Sequence, residues 1–198
     1  MKDLKPFFSY YGGKYRTAQY YPKPEYDSIV EPFAGSAGYS VRNYEHNVIL
    51  YDTNPIIAGL WDYLIKVKTN EIMKLPDEIV HIDELTNIPQ ESKWLIGFWL
   101  NKGCTGPGKT PSKWMREDIA KGYWGPEIKK RIAFQVNYIR HWKVYCASYE
   151  NVKNFPSSWF VDPPYNNVSG RIYVKKFTEL KRPKPFNHTL CRCPVDTA

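Results

Sequence analysis

Four short apolar runs, each closing on a polar residue, set the rhythm of the chain. Residues 28–31, 48–51, 143–147 and 159–161 have the length and the β-branched or aromatic content of buried strands. The stretches between them change period. Residues 39–46 look helical. The segment 55–68 starts on Pro55 and carries Ile56, Leu60, Tyr63 and Leu64 near helical spacing. The segment 91–100 has a broad stripe of Trp94, Leu95, Phe98 and Trp99, and Pro126-Glu127 opens a helix with Ile128, Ile132, Gln135, Val136 and Ile139 mostly on one face. Residues 71–90 read as a proline-punctuated connection, and 101–111, with three glycines and two prolines, as a surface loop. Strands alternating with helices predict a three-layer α/β fold around a parallel sheet. In such a sheet ligands bind beyond the carboxyl ends of the strands, where Glu31, Asp52, the 148–150 segment and Asp162 would gather.

Two of these strand ends are chemically unusual. The run Trp159-Phe160-Val161 delivers Asp162 into Pro163-Pro164-Tyr165. Two prolines fix the backbone without using amide donors, and an aromatic ring follows, which suits a flat polar ligand. Read alone, the same residues describe a strand ending in a Pro-Pro turn with a surface tyrosine. The other end is Glu31-Pro32-Phe33-Ala34-Gly35-Ser36-Ala37-Gly38, a glycine turn entering a helix. Gly35 and Gly38 allow backbone to approach a ligand closely, and the first amides of the helix are left unpaired. A nucleotide-like cofactor fits such a turn. Asp52, at the end of the next strand, stands where α/β cofactor folds hold ribose hydroxyls. The turn is not the GxGxxG of dinucleotide enzymes, so it argues against a nicotinamide cofactor.

Composition adds a partner. With 198 residues and 42% hydrophobic content the chain can form one domain with a sizeable core and an insert. No apolar stretch reaches the roughly 18 residues of a membrane span, and no signal-peptide core opens the chain, so a cytoplasmic protein without membrane contact is expected. The four cysteines, at 104, 146, 191 and 193, lack zinc-type spacing and are expected to be reduced, with no metal bound. The net charge of +8 is concentrated: residues 91–145 hold 11 Lys and Arg against 4 Asp and Glu. Trp94, Trp99, Trp114, Tyr123, Trp124, Tyr138 and Trp142 are interleaved with those bases. This suits phosphate contacts and stacking on bases, against the alternative of a solvated basic face over core aromatics.

In order along the chain, Phe7-Phe8-Ser9-Tyr10-Tyr11-Gly12-Gly13-Lys14-Tyr15, the glycine turn and Asp162-Pro163-Pro164-Tyr165 resemble the D12 class of N6-adenine-specific DNA methyltransferases, the Dam-type enzymes, over roughly residues 5 to 175. The resemblance implies a Rossmann-like S-adenosylmethionine-dependent methyltransferase fold with an inserted, mostly helical target-recognition region. Residues 1–70 and 143–180 would form the cofactor-binding catalytic domain, 71–142 the insert and 181–198 an irregular tail. It implies S-adenosylmethionine as cofactor and double-stranded DNA as partner, acting as a monomer in the cytoplasm of a bacterium or phage-infected host. Asp162, Pro163 and Tyr165 would be catalytic, the first two accepting the hydrogens of the target amine and Tyr165 stacking on the base. Tyr10 and Lys14 would touch the methionine portion of the cofactor; Tyr10 stands where Dam-type enzymes often have Trp. Glu31, Phe33, Gly35, Gly38, Asp52, Tyr149 and Asp162 complete the expected cofactor set, with 148–151 along the adenine. Lys102, Lys109, Lys113 and Arg116 are the expected DNA contacts. His46, His81, His141 and His188 are expected at the surface or in packing roles.

The chain departs from the family after Gly170. The family continues with further strands, whereas apolar patterning here fades near Leu180. This leads to the expectation of a C-terminally truncated relative whose Asp162 strand lies at or near a sheet edge. Two functions follow: a DNA adenine methyltransferase, or a non-catalytic remnant that binds DNA or cofactor without turnover. Cytosine N4 methylation is a rival within the first, disfavoured by the Asp that opens the tetrapeptide.

Overall fold

The computed structural model describes residues 3–118, 121–163 and 190–192. The four apolar runs form strands β1 (Ser28–Glu31), β2 (Asn47–Asp52), β3 (Lys143–Cys146) and β4 (Ser158–Val161). A short fifth strand, β5 (Leu190–Arg192), joins them in the order β3-β2-β1-β4-β5. Every pairing is parallel, with Val30 opposite both Ile49 and Trp159. The centre of the sheet is covered on both faces, which explains why β1 reads as a continuous apolar run with Ile29 and Val30 fully buried. The fold is the expected α/β, Rossmann-like arrangement. The strand order reverses between β1 and β4, and that is where an open α/β sheet forms its ligand crevice.

The helices follow local signals. Helix α1 (Gly38–Arg42) is shorter than the expected 39–46, because the Asn43 side chain donates to the Tyr39 carbonyl at 2.9 Å and closes the last turn. Helix α2 (Pro55–Lys66) starts where Pro55 predicts, with the Asn54 side chain accepting from the Ile56 amide at 3.0 Å. It buries Leu60, Trp61 and Leu64 against β2 and β3. The 71–90 connection is not wholly irregular. Its start belongs to α3 (Thr69–Met73), whose Glu71 carboxylate accepts from the Lys68 amide at 2.8 Å, and a 3-10 turn follows at Ile82–Glu84. Helix α4 (Gln90–Leu100) packs across α2, α5 (Lys113–Arg116) is a single exposed turn, and α6 (Pro126–Gln135) packs on α3.

Residues 71–142 share one core with the sheet. Phe98 of α4 lies 5.2 Å from Phe8, which lies 5.4 Å from Trp61 of α2, and Trp61 lies 5.5 Å from Trp142. The tail expected to be irregular contributes β5, whose Leu190 pairs with Trp159. The Asp162 strand is therefore second from the edge and has ladder partners on both sides among the described residues.

Candidate active site

The two glycine-bearing segments meet because neither has side chains in the way. A Cβ on Gly38 would stand 2.4 Å from the Tyr15 amide nitrogen and 2.8 Å from the Lys14 carbonyl carbon, so only glycine lets α1 start against the 10–15 segment. Gly35 takes φ +47°, and any Cβ there would press on the Tyr10 ring at 3.3 Å. The Trp61 indole donates to the Gly35 carbonyl at 2.8 Å and fixes the turn from below. Ala37, at the start of α1, is also left-handed at φ 47°, a conformation that a residue with a Cβ holds only under packing pressure.

A cleft opens above this junction at the carboxyl ends of β1, β2 and β4. Its lining includes Tyr10, Lys14, Glu31, Phe33, Gly35, Gly38, Asp52 and Asp162, eight of the expected site residues drawn from four separate stretches of chain. Tyr149 backs the wall, its ring 5.2 Å from that of Phe33. Pro163 follows Asp162 at the rim; Pro164 and Tyr165 lie outside the described residues.

The carboxyl groups of the cleft differ in their environments. Asp162 pairs with Lys14, Oδ2 to Nζ 2.7 Å, both side chains mostly buried. Asp52 accepts from the Gly35 amide at 3.0 Å through Oδ2 and from the Asn54 amide at 2.9 Å through Oδ1. It ties the glycine turn to the end of β2, and burial raises its pKa against the pull of those amides. Glu31 is 2% exposed and accepts from the Ser40 amide at 2.7 Å. Desolvation raises it from 4.5 to about 8, Asp162 adding to the rise while hydrogen bonds from Ser40 oppose it.

Residues 10–91 match the sequence model of the D12 class N6 adenine-specific DNA methyltransferases. The match covers less than half of the chain and marks this segment as similar to that family. The matched stretch carries Tyr10, Lys14, the glycine turn and Asp52, and the fold adds the Asp162 that lies outside it. No curated protein sequence matches the chain. The basic 101–111 loop is bonded to the segment that carries Tyr10 and Tyr11 of the cleft lining. The Tyr11 amide donates to the Cys104 carbonyl at 3.2 Å and the Gly103 amide to the Ser9 hydroxyl at 3.0 Å.

The expected DNA contacts divide. Lys113 and Arg116 are exposed on α5. Lys109 is exposed but paired with Asp83 at 3.0 Å. Lys102 lies 4.3 Å from the centre of the Tyr123 ring and donates to the Lys121 carbonyl at 2.9 Å. Most of the interleaved tryptophans do not offer stacking faces, which corrects that expectation. Trp99, Trp124 and Trp142 are buried, with their indole N–H groups donating to the Phe7, Pro76 and Tyr44 carbonyls. An indole can enter the core once its single donor is satisfied. Trp114 is the exposed one, at 56%.

Sequence reasoning missed Trp61, Ser40 and Asn54. Asn54 had a signal, an Asn immediately before a helix-opening proline. Trp61 and Ser40 gave none, because the groups they serve are distant in sequence or buried by tertiary packing. Among the histidines, His141 lies 3.0 Å from the His46 carbonyl and His81 caps a 3-10 turn; His188 lies outside the described residues. Cys104 and Cys146 are free thiols. Among the described residues no helix is long and apolar enough to cross a membrane, and no group of three or more His, Cys, Asp or Glu is arranged to hold a metal ion.

Proposed function

We propose that this protein transfers a methyl group from S-adenosylmethionine to the N6 amino group of adenine in double-stranded DNA. The observation that carries the reading is the position of Asp162. Its carboxylate, aimed by Lys14, opens into the same cleft as the glycine turn and Asp52. The donor set fits the cofactor: carboxyl groups suit a cationic ligand, Tyr10 and Phe33 offer flat walls, and the close approach of Tyr10 to Gly35 leaves the turn's backbone as the floor. S-adenosylmethionine would be held by Tyr10, Phe33, Gly35 and Asp52, and when bound it supplies an electrophilic methyl on a sulfonium.

An exocyclic amine is a weak nucleophile because its lone pair is delocalised into the ring. The protein's work is therefore to orient and polarise it. The Asp162 carboxylate would accept one amine hydrogen and the Pro163 carbonyl the other, shifting electron density onto nitrogen. Lys14 holds the Asp162 carboxylate in place without serving as a base. The amine is stacked inside the duplex, so the base must be flipped out at a cost of about a few kcal/mol, offset by contacts in the pocket. The exposed bases Lys113 and Arg116, with Lys102 of the 101–111 loop, would take the phosphates.

The test is transfer of labelled methyl to unmethylated duplex DNA, with nucleoside analysis of the product. N6-methyladenine is expected from the parent chain. Asp162→Ala should reduce transfer by about a hundred- to a thousandfold, the scale of losing a polarising contact in a transition state, while DNA affinity is retained. Labelled N4-methylcytosine, or an Asp162→Ala variant as active as the parent, would overturn the reading.

A further inference from the structure

The 101–111 loop leads from α4 to α5, which carries the exposed Lys113 and Arg116. Main-chain bonds hold the α5 end of the loop on α4: the Gly108 amide donates to the Gly97 carbonyl at 3.0 Å and the Ser112 amide to the Leu100 carbonyl at 3.0 Å. From another side the Ile82 amide donates to the Lys109 carbonyl at 2.8 Å. The 103–104 end lies instead on the segment that walls the cleft. The Gly103 amide donates to the Ser9 hydroxyl at 3.0 Å, and the Cys104 carbonyl accepts from the Tyr11 amide at 3.2 Å. These two bonds flank Tyr10, whose ring lies against Gly35 and has its centre 5.9 Å from that of Phe98. Gly103 takes φ +75°, yet nothing lies within 4 Å of where its Cβ would stand. Packing does not call for glycine at this position; the left-handed backbone that accompanies the Ser9 bond does.

Resting on the methyl-transfer reading, we infer that Ser9 is a positioning residue, whose bond to Gly103 sets the register between the loop leading to the DNA-binding turn and the cleft that holds Asp162. Ser9 acts through the loop and need touch neither cofactor nor base. DNA held on α5 delivers its base to the cleft at a place fixed by how the loop sits on the 9–11 segment. Methyl transfer in line with the departing sulfur tolerates little error in that place, and a misplacement of about 1 Å can cost a hundredfold in rate. Alanine at position 9 would leave the exposed Gly103 amide to water, so the loop end can drift while the Gly108 and Ser112 bonds keep the rest on α4. The Tyr11 bond to Cys104 survives the change, which makes the loss of register partial.

The readout is the single-turnover rate of methyl transfer by the whole chain, saturated with S-adenosylmethionine and duplex DNA. That rate constant does not depend on how much of a preparation is folded. Ser9→Ala should slow it about tenfold while the affinities for cofactor and for DNA each stay within about twofold, the pattern of an interaction that counts in the transition state rather than in binding. Gly103→Ala opposes the same bond from the loop side and should slow transfer by a similar factor. The double variant should be no slower than either single one, because both changes remove one contact. A Ser9→Ala rate equal to the parent's, or a double variant slowed about a hundredfold, would overturn the inference while leaving methyl transfer standing. Weakened cofactor binding in Ser9→Ala at an unchanged rate would likewise overturn it, placing Ser9 among the cofactor-binding residues. A parent chain that transfers no methyl would overturn both readings.

Discussion

At the residue scale, the site depends on carboxyl groups of the same type held in different states by what surrounds them. Asp162 has a lysine at 2.7 Å, Asp52 has amides on both oxygens, and Glu31 has one amide and deep burial. The last arrangement costs stability in a definite pH window. Between 4.5 and about 8 folded Glu31 keeps a proton that the unfolded chain has lost, so stability falls as pH rises through that range and levels off above it. Glu31→Gln keeps an acceptor for the Ser40 amide and removes the charge. It should leave stability at pH 4.5 nearly unchanged and raise it at pH 8.5 by on the order of a few kcal/mol, read by urea unfolding at the two pH values. Asp52, also raised by burial, leaves a residual slope of the same sign. A variant with the parent's full pH dependence would show that Glu31 is ionised in the folded chain.

At the element scale, the glycine turn works as a spacer between strand, helix and the 10–15 segment. Gly38→Ala introduces a methyl group 2.4 Å from backbone that cannot yield without moving Lys14, and Lys14 aims Asp162. The expected outcome is a stability loss of roughly 1–3 kcal/mol, as for other overpacked sites, together with weakened cofactor affinity. Thermal unfolding and equilibrium binding check the two effects separately, and a variant that loses neither would show that the approach of α1 to Tyr15 is relaxed in solution. Helix length is set by equally local chemistry. The 39–46 pattern was helical in composition, yet α1 stops at Arg42 because Asn43 finds a nearby carbonyl. A side chain that can bond its own backbone ends a helix that apolar spacing alone would continue.

At the scale of the whole molecule, two properties follow from the sharing of one core and the segregation of charge. Phe98 packs on Phe8, so the 71–142 region and the sheet should unfold together: Phe98→Ala should cost about 3–5 kcal/mol and shift a single transition observed by both tryptophan fluorescence and circular dichroism. Separate transitions would show an insert with a core of its own. Neutralising Lys113 and Arg116 together should flatten the dependence of log DNA affinity on log salt by about 2, roughly 0.9 for each phosphate that is no longer neutralised, with the circular dichroism spectrum unchanged because both side chains are exposed. An unaltered slope would move the DNA interface away from α5.

Much of this protein was legible along the chain. The strands at Ser28, Val48, Lys143 and Trp159 announced themselves because apolar runs have few other uses, and Gly35, Gly38, Asp52 and Asp162 because glycine turns and strand-end acids are local chemistry. The sequence by itself therefore determined the α/β order and most residues of the cleft. Only the tertiary structure decided which charges meet and which aromatics are hidden. Lys14 and Asp162 are 148 positions apart and pair because the 10–15 segment packs on the glycine turn near the end of β4, while Trp99, Trp124 and Trp142 look identical to surface stackers until a backbone carbonyl accepts from each indole N–H. Local pattern fixes conformation, but a pKa, an ion pair or a buried donor depends on what the rest of the chain brings within a few ångströms.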